Sequence, residues 1–549
     1  MPMRLVTLLA IPVLSVHSLA VAQETSPRFS PEGVRAHVAF LADDVLEGRK
    51  TGTRGYEIAA RYVAAQLEAY GLKPGGSDGW FQQVDFQQTE RGAQRGSVTI
   101  SGPAGEHSWA HATEVMVGMN ANELMLDVSA PLVFVGYGIE NERLGLDDYR
   151  GLDVKGKIVA ALRGFPKGLP SEEGAHVGSM KLEIAQKHGA IGYVGVDTLQ
   201  SLQTSPWKRR LETAEEPDFA WVGADGKAHQ DAPGIRAWAA LNTPAAEALF
   251  AGAPRTVEEL RREADEAGAA PKGFALKTRI RIQSEGVPGR VTSPNVIGIL
   301  PGADPLLANE YVVLSAHLDH LGTAPARAGD EADKDRIYNG ALDNAAGIAT
   351  LLEVARAAAA APNKPRRSIV FLATTAEEEG LLGAEYFARH PTVPVGQIVA
   401  NVNLDMPVLL YPFTDVVAFG ANHSSLGPLV ASAVAPMGVR LAPDPMPQEG
   451  LFTRSDHYMF VKQGVPAVFF ATGFASGGEK AWESLLSGAY HHPNDDMRQQ
   501  IDWQAGARFA EANYRLTRAI ADGDARPLWV QGDFFGDTFA PDAPRAAPH

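Results

Sequence analysis

The sequence predicts an α/β fold with a mostly parallel central sheet flanked by helices and an inserted, smaller, strand-rich domain. From residue 286 onward, short apolar runs alternate with helical segments, which is typical of a parallel sheet covered by helices. Residues 130 to about 270 form a separate zone of turns, buried strands and helices. A length of 549 residues also exceeds what a single hydrophobic core usually organises.

The first 22 residues have the pattern of a secretory signal peptide. Arg4 precedes an apolar stretch at 5–16, and the sequence Ala-Val-Ala at 20–22 is typical of a cleavage site. The apolar stretch is short for a membrane span, although an uncleaved anchor is the alternative. We therefore expect an exported protein, periplasmic or secreted, with no membrane association after cleavage.

The composition excludes several classes of function. The formal net charge is −16 and no basic cluster occurs, which argues against a nucleic-acid partner. The hydrophobic content of 45% and charged content of 21% are ordinary for a soluble globular enzyme. The chain has no cysteine, so disulfides, thiolate nucleophiles and cysteine metal ligands are absent. Any metal site must use histidines and carboxylates.

Periodicity divides the rest of the chain. Apolar residues three and four apart predict helices within 28–75, and alternating stretches predict strands within 80–135. The expected division is a signal peptide at 1–22, the N-terminal part of the main domain at 23–125, an inserted domain at 126–285, the main catalytic domain at 286–525 and a C-terminal tail at 526–549.

Acidic and imidazole side chains occur where the predicted strands of the main domain end. Functional residues of parallel sheets lie beyond the carboxyl ends of the strands. Each residue alone has a simpler explanation, such as a surface histidine or a solvated helix start. Together they form a cluster of like charges that is costly to bury without compensation. The residues are His317, Asp319, Asp343, Glu377, Glu378, Glu379, Asp405, His491 and His492.

These residue types predict a site for divalent metal. Imidazoles and carboxylates without sulfur suit zinc, with cobalt and manganese as alternatives. A catalytic zinc ion usually takes three protein ligands. A set of five ligands, two imidazoles and three carboxylates, therefore suits two ions about 3.5–4 Å apart with one bridging carboxylate. Asp343 is the predicted bridge, and Asn344 is expected to begin the apolar helix behind it.

The chain resembles the co-catalytic zinc metallopeptidases, a family that includes bacterial aminopeptidases and glutamate carboxypeptidases. The resemblance implies the zinc exopeptidase fold, two Zn²⁺ ions per chain and peptide substrates. The middle zone resembles a protease-associated domain, expected to act as a lid or spacer, and the stretch "FLADDVLEGRKTGTRGYEIAARYVAAQLEAYGLKP" resembles the helical start of bacterial members. The matching peptidase motifs are "SAHLDHLG", "NGALDNAAGIATLLEVAR", "RSIVFLATTAEEEGLLGAEYF", "NVNLDM", "SDHYMFVKQGVPAVFF" and "YHHPND".

The resemblance implies a role for each candidate residue. Asp319 would hold the free ring nitrogen of His317, and Glu377 would be the general base. Tyr490 is a candidate donor to the oxyanion, with ring packing as its alternative. His492 occupies a variable position of the motif, so it competes with its neighbour for the ligand role. The implied metal ligands are His317 and Asp405 for one ion, Glu378 and His491 for the other, and Asp343 for both.

The resemblance leaves several functions open. The first is an aminopeptidase, and the second is a glutamate carboxypeptidase-like enzyme or dipeptidase, which would need paired arginines for two carboxylates. A non-catalytic receptor-like binding protein and a single-zinc acyl transferase similar to glutaminyl cyclases are the others. Arg454, Asp456 and His457 are candidates for the substrate pocket or for support of its loop. The side-chain preference and the oligomeric state stay open.

Overall fold

A computed structural model describes residues 28–326, 331, 334–394 and 396–548. The expected signal peptide at 1–22 lies outside these residues. None of the helices in the described parts combines the length and hydropathy of a bilayer-spanning segment.

The N-terminal segment is helical, as predicted. Helix Pro31–Leu41 begins at Ser30, whose hydroxyl accepts a bond from the N–H of Gly33. A short 3₁₀ segment, Asp44–Arg49, leads to helix Arg54–Ala69. The first helix packs against helices Ala346–Ala360 and Trp503–Asp522 of the main domain. The N-terminal segment is therefore part of the main core.

The main sheet is built around four parallel strands. Tyr311–His317 pairs with Ser368–Thr374 on one side and with Ile398–Leu404 on the other, and Ala467–Thr472 follows Ile398–Leu404. Every residue of Ser368–Thr374 and Ile398–Leu404 is buried, as expected for strands covered on both faces. The predicted mostly parallel sheet is confirmed. The flanking strands are antiparallel: Asp415–Phe419 on one side and the end of Phe274–Leu300 on the other.

Helices cover this central sheet and strands extend its edges. Helix Trp503–Asp522 begins at Asp502, whose carboxylate accepts a bond from Ala505 N–H. The remaining helices of this part are Ala346–Ala360, Leu382–Arg389, Leu426–Val434, His457–Val461, Gly478–Ser484 and Phe534–Phe539. Its edge and minor strands are Lys73–Pro74, Phe81–Arg91, Asp218–Trp221, Gly322–Thr323, Ile337–Tyr338, Arg440–Ala442, Trp529–Val530 and Arg545–Ala546.

A second sheet shares the long strand Phe274–Leu300 with the main sheet. Residues 275–282 alternate exposed and buried side chains, so this part of the strand has one solvent face. It pairs with Met125–Phe134 and with Ser97–Gly102, which lies upstream of the expected boundary at 126. The second sheet therefore begins earlier than the inserted domain that the sequence predicts. Its identification as a protease-associated domain stays a prediction.

The rest of the second sheet contains a parallel run that starts at Met125–Phe134. The run continues in parallel through Ile158–Leu162, Gly192–Val196 and Ala237–Leu241. Val115–Val117 then pairs antiparallel with Ala237–Leu241. At the other edge of the sheet, Gly105–Ala110 pairs antiparallel with Ser97–Gly102. A short ladder joins Glu140–Asn141 and Leu146–Asp147. The helices of this region are Ser171–Ser179, Lys181–Lys187, Leu199–Thr204, Trp207–Glu212, Thr243–Leu249 and Val257–Ala264.

Candidate metal centre

The carboxyl ends of three neighbouring parallel strands form the candidate site. His317 is the last residue of its strand, and its register partner is Thr374. Glu377 and Glu378 lie a few residues after Thr374, and Asp405 directly follows the strand Ile398–Leu404. Because these strands are adjacent and parallel, the side chains that follow them are at one edge of the sheet.

One half of the site consists of His317, Asp343 and Asp405. The Nε2 atom of His317 lies 3.2 Å from Asp343 Oδ1 and 3.1 Å from Asp405 Oδ1. The ligand atoms of all three residues lie within 4.8 Å of one another, and all three side chains are buried. One imidazole nitrogen therefore faces two carboxylate oxygens at once.

The other half of the site contains Glu378 and His491. The Nε2 atom of His491 lies 3.2 Å from Asp343 Oδ2 and 3.3 Å from Glu378 Oε2. Asp343 thus presents one oxygen to each half. His491 has a positive φ of 58°, whereas His492 is exposed to solvent. Of the two adjacent histidines, the structure brings His491 to the carboxylates.

Hydrogen bonds to neighbouring segments hold the loop that contains Asp343. The carboxylate of Asp495 accepts bonds from the N–H groups of Leu342 and Asp343, each at 3.0 Å. The side-chain oxygen of Asn344 accepts bonds from Gly347 N–H at 3.0 Å and from Met406 N–H at 3.2 Å. Asn344, one residue before the N-cap position at Ala345, therefore links the first turn of the following helix to the segment after Asp405.

Two donors outside the predicted set hold the carboxylates of Asp405 and Glu378, here called the terminal carboxylates. The hydroxyl of Ser455 donates to Asp405 Oδ2 at 2.5 Å, which leaves Oδ1 facing His317. The ring Nδ1 of His320 lies 2.6 Å from Glu378 Oε1, which leaves Oε2 facing His491. Each terminal carboxylate thus keeps one oxygen for the centre of the site.

His320 is the main functional candidate that the sequence reasoning missed. It is buried, and its ligand atom lies within 4.8 Å of those of Asp343 and Glu378. Its Nε2 atom has no hydrogen-bond partner among the described residues. The available signal was its place in the motif "SAHLDHLG", three residues after His317 at the same strand end.

Asp319 makes contacts that differ from the predicted one. Its carboxylate accepts bonds from the backbone N–H groups of Glu377 at 3.2 Å and Glu378 at 3.3 Å. The Nδ1 atom of His317 lies 4.0 Å from this carboxylate but 3.2 Å from the backbone oxygen of Asp319. The carbonyl therefore orients His317, and the carboxylate fixes the backbone of the two glutamates.

A narrow cleft of about 50 Å³ lies above the carboxylates. Glu377, Arg454 and Tyr490 line it, and the Tyr490 ring centroid lies 3.9 Å from that of His491.

Asp456 and His457 are fully buried and are not lining residues of this cleft. The Asp456 carboxylate accepts a bond from Thr374 Oγ1 at 2.5 Å, which indicates support of the loop. Outside the cleft, Glu379 forms an ion pair with Lys50 at 3.0 Å.

The charged groups of the site shift one another's pKa values. Burial raises the pKa of the Glu377 carboxyl group well above its ordinary value, and the charges of Asp405 and Glu378 add to this effect. Burial alone would lower the pKa of His491, but Glu378 and Asp343 outweigh it and raise the pKa to about 10. The arrangement therefore holds more negative charge than its imidazoles balance, and added positive charge would stabilise it.

The donor set fits divalent cations. When His317 is neutral and donates its Nδ1 proton to the Asp319 carbonyl, its Nε2 lone pair points at two carboxylate oxygens. A cation would satisfy all of these lone pairs, whereas a single N–H at Nε2 can bond fully to only one of the two carboxylates. Oxygen and imidazole donors without sulfur are typical of zinc sites.

One protein-family model matches the part of the chain that contains the site. Residues 295–517 match the model of peptidase family M28. The matched region contains all the candidate metal ligands and Glu377, and residues 28–294 lie outside it.

Curated relatives share parts of the chain. Aminopeptidase NAALADL1 of Mus musculus is 26% identical over 247 residues, which are 44% of this chain and 30% of that protein. Leupeptin-inactivating enzyme 1 of Streptomyces exfoliatus is 25% identical over 264 residues, which are 47% of this chain and 55% of that protein. The chain thus spans less than two thirds of either relative.

A solved structure shares the fold over nearly the whole chain. The aminopeptidase from Aneurinibacillus sp. strain AM-1 aligns with 91% of this chain and 95% of its own, with a TM-score of 0.51 and 20% sequence identity. At this identity the likeness supports the fold alone.

Proposed function

We propose that this chain, whose residues 295–517 match the model of peptidase family M28, is an exported zinc-dependent aminopeptidase that acts with two zinc ions. The observation that supports this most is the position of Asp343. Its two oxygens lie 3.2 Å from the Nε2 atoms of two different histidines, His317 and His491. This is the arrangement that a carboxylate bridging two metal ions needs.

The proposed ligands divide between two ions. His317 and Asp405 would hold one ion, Glu378 and His491 the other, and Asp343 both. His320 and Ser455 each bind the second oxygen of a terminal carboxylate, so these carboxylates are oriented before metal binds. When bound, zinc would supply Lewis-acid chemistry, lowering the pKa of a water molecule and polarising the scissile carbonyl.

Glu377 is the proposed general base. It lines the cleft, and its carboxylate lies within 4.8 Å of the ligand atoms of His317 and Glu378. Asp319 holds the backbone N–H of Glu377, which keeps the carboxylate close to the centre. In the proposed reaction Glu377 takes a proton from the attacking water and transfers it to the leaving amine.

Tyr490 is the proposed donor to the oxyanion. Its ring lies against that of His491 at the wall of the cleft. Burial raises the pKa of its hydroxyl well above the ordinary value, and the charges of Asp343 and Glu378 add to this effect. Tyr490 therefore keeps its proton at neutral pH and can donate it to developing negative charge on the substrate oxygen.

The basic residues around the cleft argue against a substrate with an acidic C-terminus. The acidic residues that line it, Asp343, Glu377 and Asp405, are already assigned to the metal ions and to proton transfer. Arg454 is the single basic side chain in the described lining besides the histidine, and it lies 3.7 Å from Glu449. The paired arginines that an acidic C-terminus needs are absent from the described cleft.

A second candidate, a dipeptidase or glutamate carboxypeptidase-like enzyme, is favoured by a separate cavity of about 570 Å³. Its basic lining residues are Arg91, Arg163, Lys181 and Arg210. Glu216 also lines it. Burial raises the pKa of the Glu216 carboxyl group, the charge of Lys50 opposes this effect, and the charge of Glu378 adds to it.

A matched panel of peptides tests the two candidates. Each peptide is prepared with a free or acetylated N-terminus and with an acidic, neutral or amidated C-terminus, and zinc-reconstituted protein is compared with Glu377→Gln. An aminopeptidase requires the free amine and tolerates amidation. Cleavage that survives acetylation but requires an acidic C-terminus would replace the first proposal with the second. Absence of cleavage in zinc-loaded protein would favour the binding protein.

Export is proposed from the pattern in residues 1–22. Expression with these residues in a bacterium that has an outer membrane, followed by N-terminal sequencing of the periplasmic fraction, tests it. We expect a mature chain that begins at Gln23. An intact N-terminus in the membrane fraction would support the anchor instead.

A further inference from the structure

Arg49 is a buried cation beside the metal centre, and it lies outside the region that matches the peptidase family. The match begins at residue 295, whereas Arg49 ends the short segment Asp44–Arg49 near the N-terminus. Only 1% of its surface is exposed. A guanidinium group is costly to bury unless its donors are satisfied, so its partners indicate what it does.

The guanidinium group of Arg49 donates only to backbone carbonyl groups in the described structure. Its Nε donates to Leu318 O at 3.0 Å, and its Nη2 donates to Gly340 O at 3.1 Å. Its Nη1 donates to Asn339 O at 2.5 Å and also to Leu41 O. One side chain thus joins three separate segments of the main domain.

Two of these segments contain proposed metal ligands. Leu318 directly follows His317, and Gly340 precedes Asp343 by three residues. The Gly340 position is tight, because a Cβ atom there would lie 2.2 Å from the backbone oxygen of Asp343 and 2.7 Å from the ring of His320. Small displacements of Gly340 would therefore move the residues around it.

We propose that Arg49 is a positioning residue for the metal centre. Its planar, forked donors fix the spacing between the loop after His317 and the loop before Asp343, and so they place the bridging carboxylate against the histidine. This inference rests on the proposed two-metal site. It assigns to the N-terminal segment a part of the site that residues 295–517 do not supply.

Geometry and charge predict opposite effects for this arginine. Burial lowers the pKa of Arg49 to about 10, against the opposing charges of Asp495 and Asp319, so it stays charged at neutral pH. A positive charge close to a cation site weakens metal binding by repulsion. If charge were its only effect, removing it would strengthen zinc binding. If the fork positions the ligands, removing it weakens zinc binding.

Two substitutions separate these effects. Arg49→Lys keeps the charge but loses the planar fork, and Arg49→Met removes both while keeping a long apolar side chain. The control is Arg367→Lys. Arg367 is also fully buried, and its Nη1 donates to the backbone carbonyls of Ile520 and Gly523, although its Nε donates to the Glu310 carboxylate at 2.6 Å. It directly precedes the strand Ser368–Thr374, at the opposite end from the metal centre.

The measurement is zinc affinity by competition with a chelating dye, together with the visible absorption spectrum of the cobalt-substituted proteins. We expect both Arg49 variants to bind zinc about tenfold to a hundredfold more weakly and to show an altered cobalt spectrum. Arg367→Lys should lose thermal stability but keep the wild-type zinc affinity and spectrum. Circular dichroism confirms that each variant is folded.

Three results would overturn the inference: Arg49→Lys binding zinc within twofold of wild type, Arg49→Met binding it more tightly, or Arg367→Lys losing as much affinity as Arg49→Lys. These results differ from a failure of the proposed function. Wild-type protein with no tight zinc site would contradict the proposed function itself.

Discussion

Two buried histidines in this molecule each lie between two carboxylates, and their geometries differ. His423 uses opposite ring nitrogens: Nδ1 lies 2.6 Å from Asp533 and Nε2 lies 2.6 Å from Glu172. His317 turns the same nitrogen, Nε2, to both Asp343 and Asp405. A protonated His423 thus satisfies both its carboxylates, whereas a single N–H at His317 cannot bond fully to two acceptors.

The difference distinguishes a structural ion pair from the proposed metal site. His423 links helix Ser171–Ser179, through Glu172, to the residue that begins helix Phe534–Phe539, Asp533. Its two short bonds leave no ring nitrogen free. At His317 the lone pairs converge on one point, where a cation would satisfy them all. The direction of the donors, more than the residue types, supports the proposed metal site.

The largest expected effect on activity is at Glu377. Glu377→Gln keeps the shape of the side chain but cannot accept a proton, so we expect kcat to fall about 10³–10⁴-fold. Zinc content should stay at the wild-type value, which metal analysis checks. The matched variant at the other cluster, His423→Gln, should keep kcat within about twofold. Equal losses in the two variants would contradict the distinction between the clusters.

The next effect is expected at the bridge. Asp343→Asn replaces one of two carboxylate oxygens with an amide, which binds a second metal ion poorly. We expect zinc affinity to fall about a hundredfold or more and one ion per chain to be lost. Dialysis against defined free zinc followed by elemental analysis measures the stoichiometry. Retention of the full wild-type zinc content would argue against Asp343 as the bridge.

A smaller effect is expected at His320. His320→Leu removes the donor to Glu378 Oε1, and we expect zinc affinity at that half to fall about tenfold. His320→Asn retains an N–H group near the Nδ1 position and should recover most of the affinity. If the asparagine variant is as weak as the leucine variant, His320 acts as a direct ligand and not through Glu378.

At the other cluster the expected effect is on stability and not on catalysis. Burial alone would lower the pKa of His423, but Asp533 and Glu172 outweigh it and raise the pKa to about 10. Because the folded pKa exceeds the unfolded value of about 6.5, the stabilisation is complete below pH 6.5 and is lost as the pH rises toward 10.

His423→Gln tests whether this stabilisation is lost as the pH rises. We expect a loss of about 3 kcal/mol in the free energy of unfolding at pH 6, because the substitution leaves two buried carboxylates without their cation. The difference from wild type should shrink as the pH approaches 10. Denaturant unfolding at both pH values measures it, with Arg61→Gln as an exposed control. A difference that grows with pH would contradict the assignment.

Much of the fold and the set of converging residues could be predicted from the sequence. Apolar runs that alternate with helical segments predict the sheet, and the polar residues directly after these runs mark the carboxyl ends of its strands. The contacts of Arg49 and Ser455 could not be predicted in this way. Arg49 binds backbone carbonyls, and because every residue has one, no residue type in the sequence indicates these contacts. Asp319 shows the same limit, since a sequence does not reveal whether a residue holds its neighbour by its carboxylate or its carbonyl.

The start of the second sheet could not be predicted for a related reason. Ser97–Gly102 forms a strand whose partner, Arg279–Gln283, lies far along the chain. Local periodicity identifies a strand but not the sheet to which it belongs. The expected boundary at 126 therefore separated strands that pair through the shared strand Phe274–Leu300.

The most direct test of the account is the number of zinc ions in active protein. Stepwise addition of zinc to chelated protein, with activity and bound metal measured at each step, should reach full activity at two ions per chain. Chelation should abolish activity, and zinc should restore it. Full activity without bound metal, or saturation of binding and activity at a single ion, would contradict the two-metal centre bridged by Asp343.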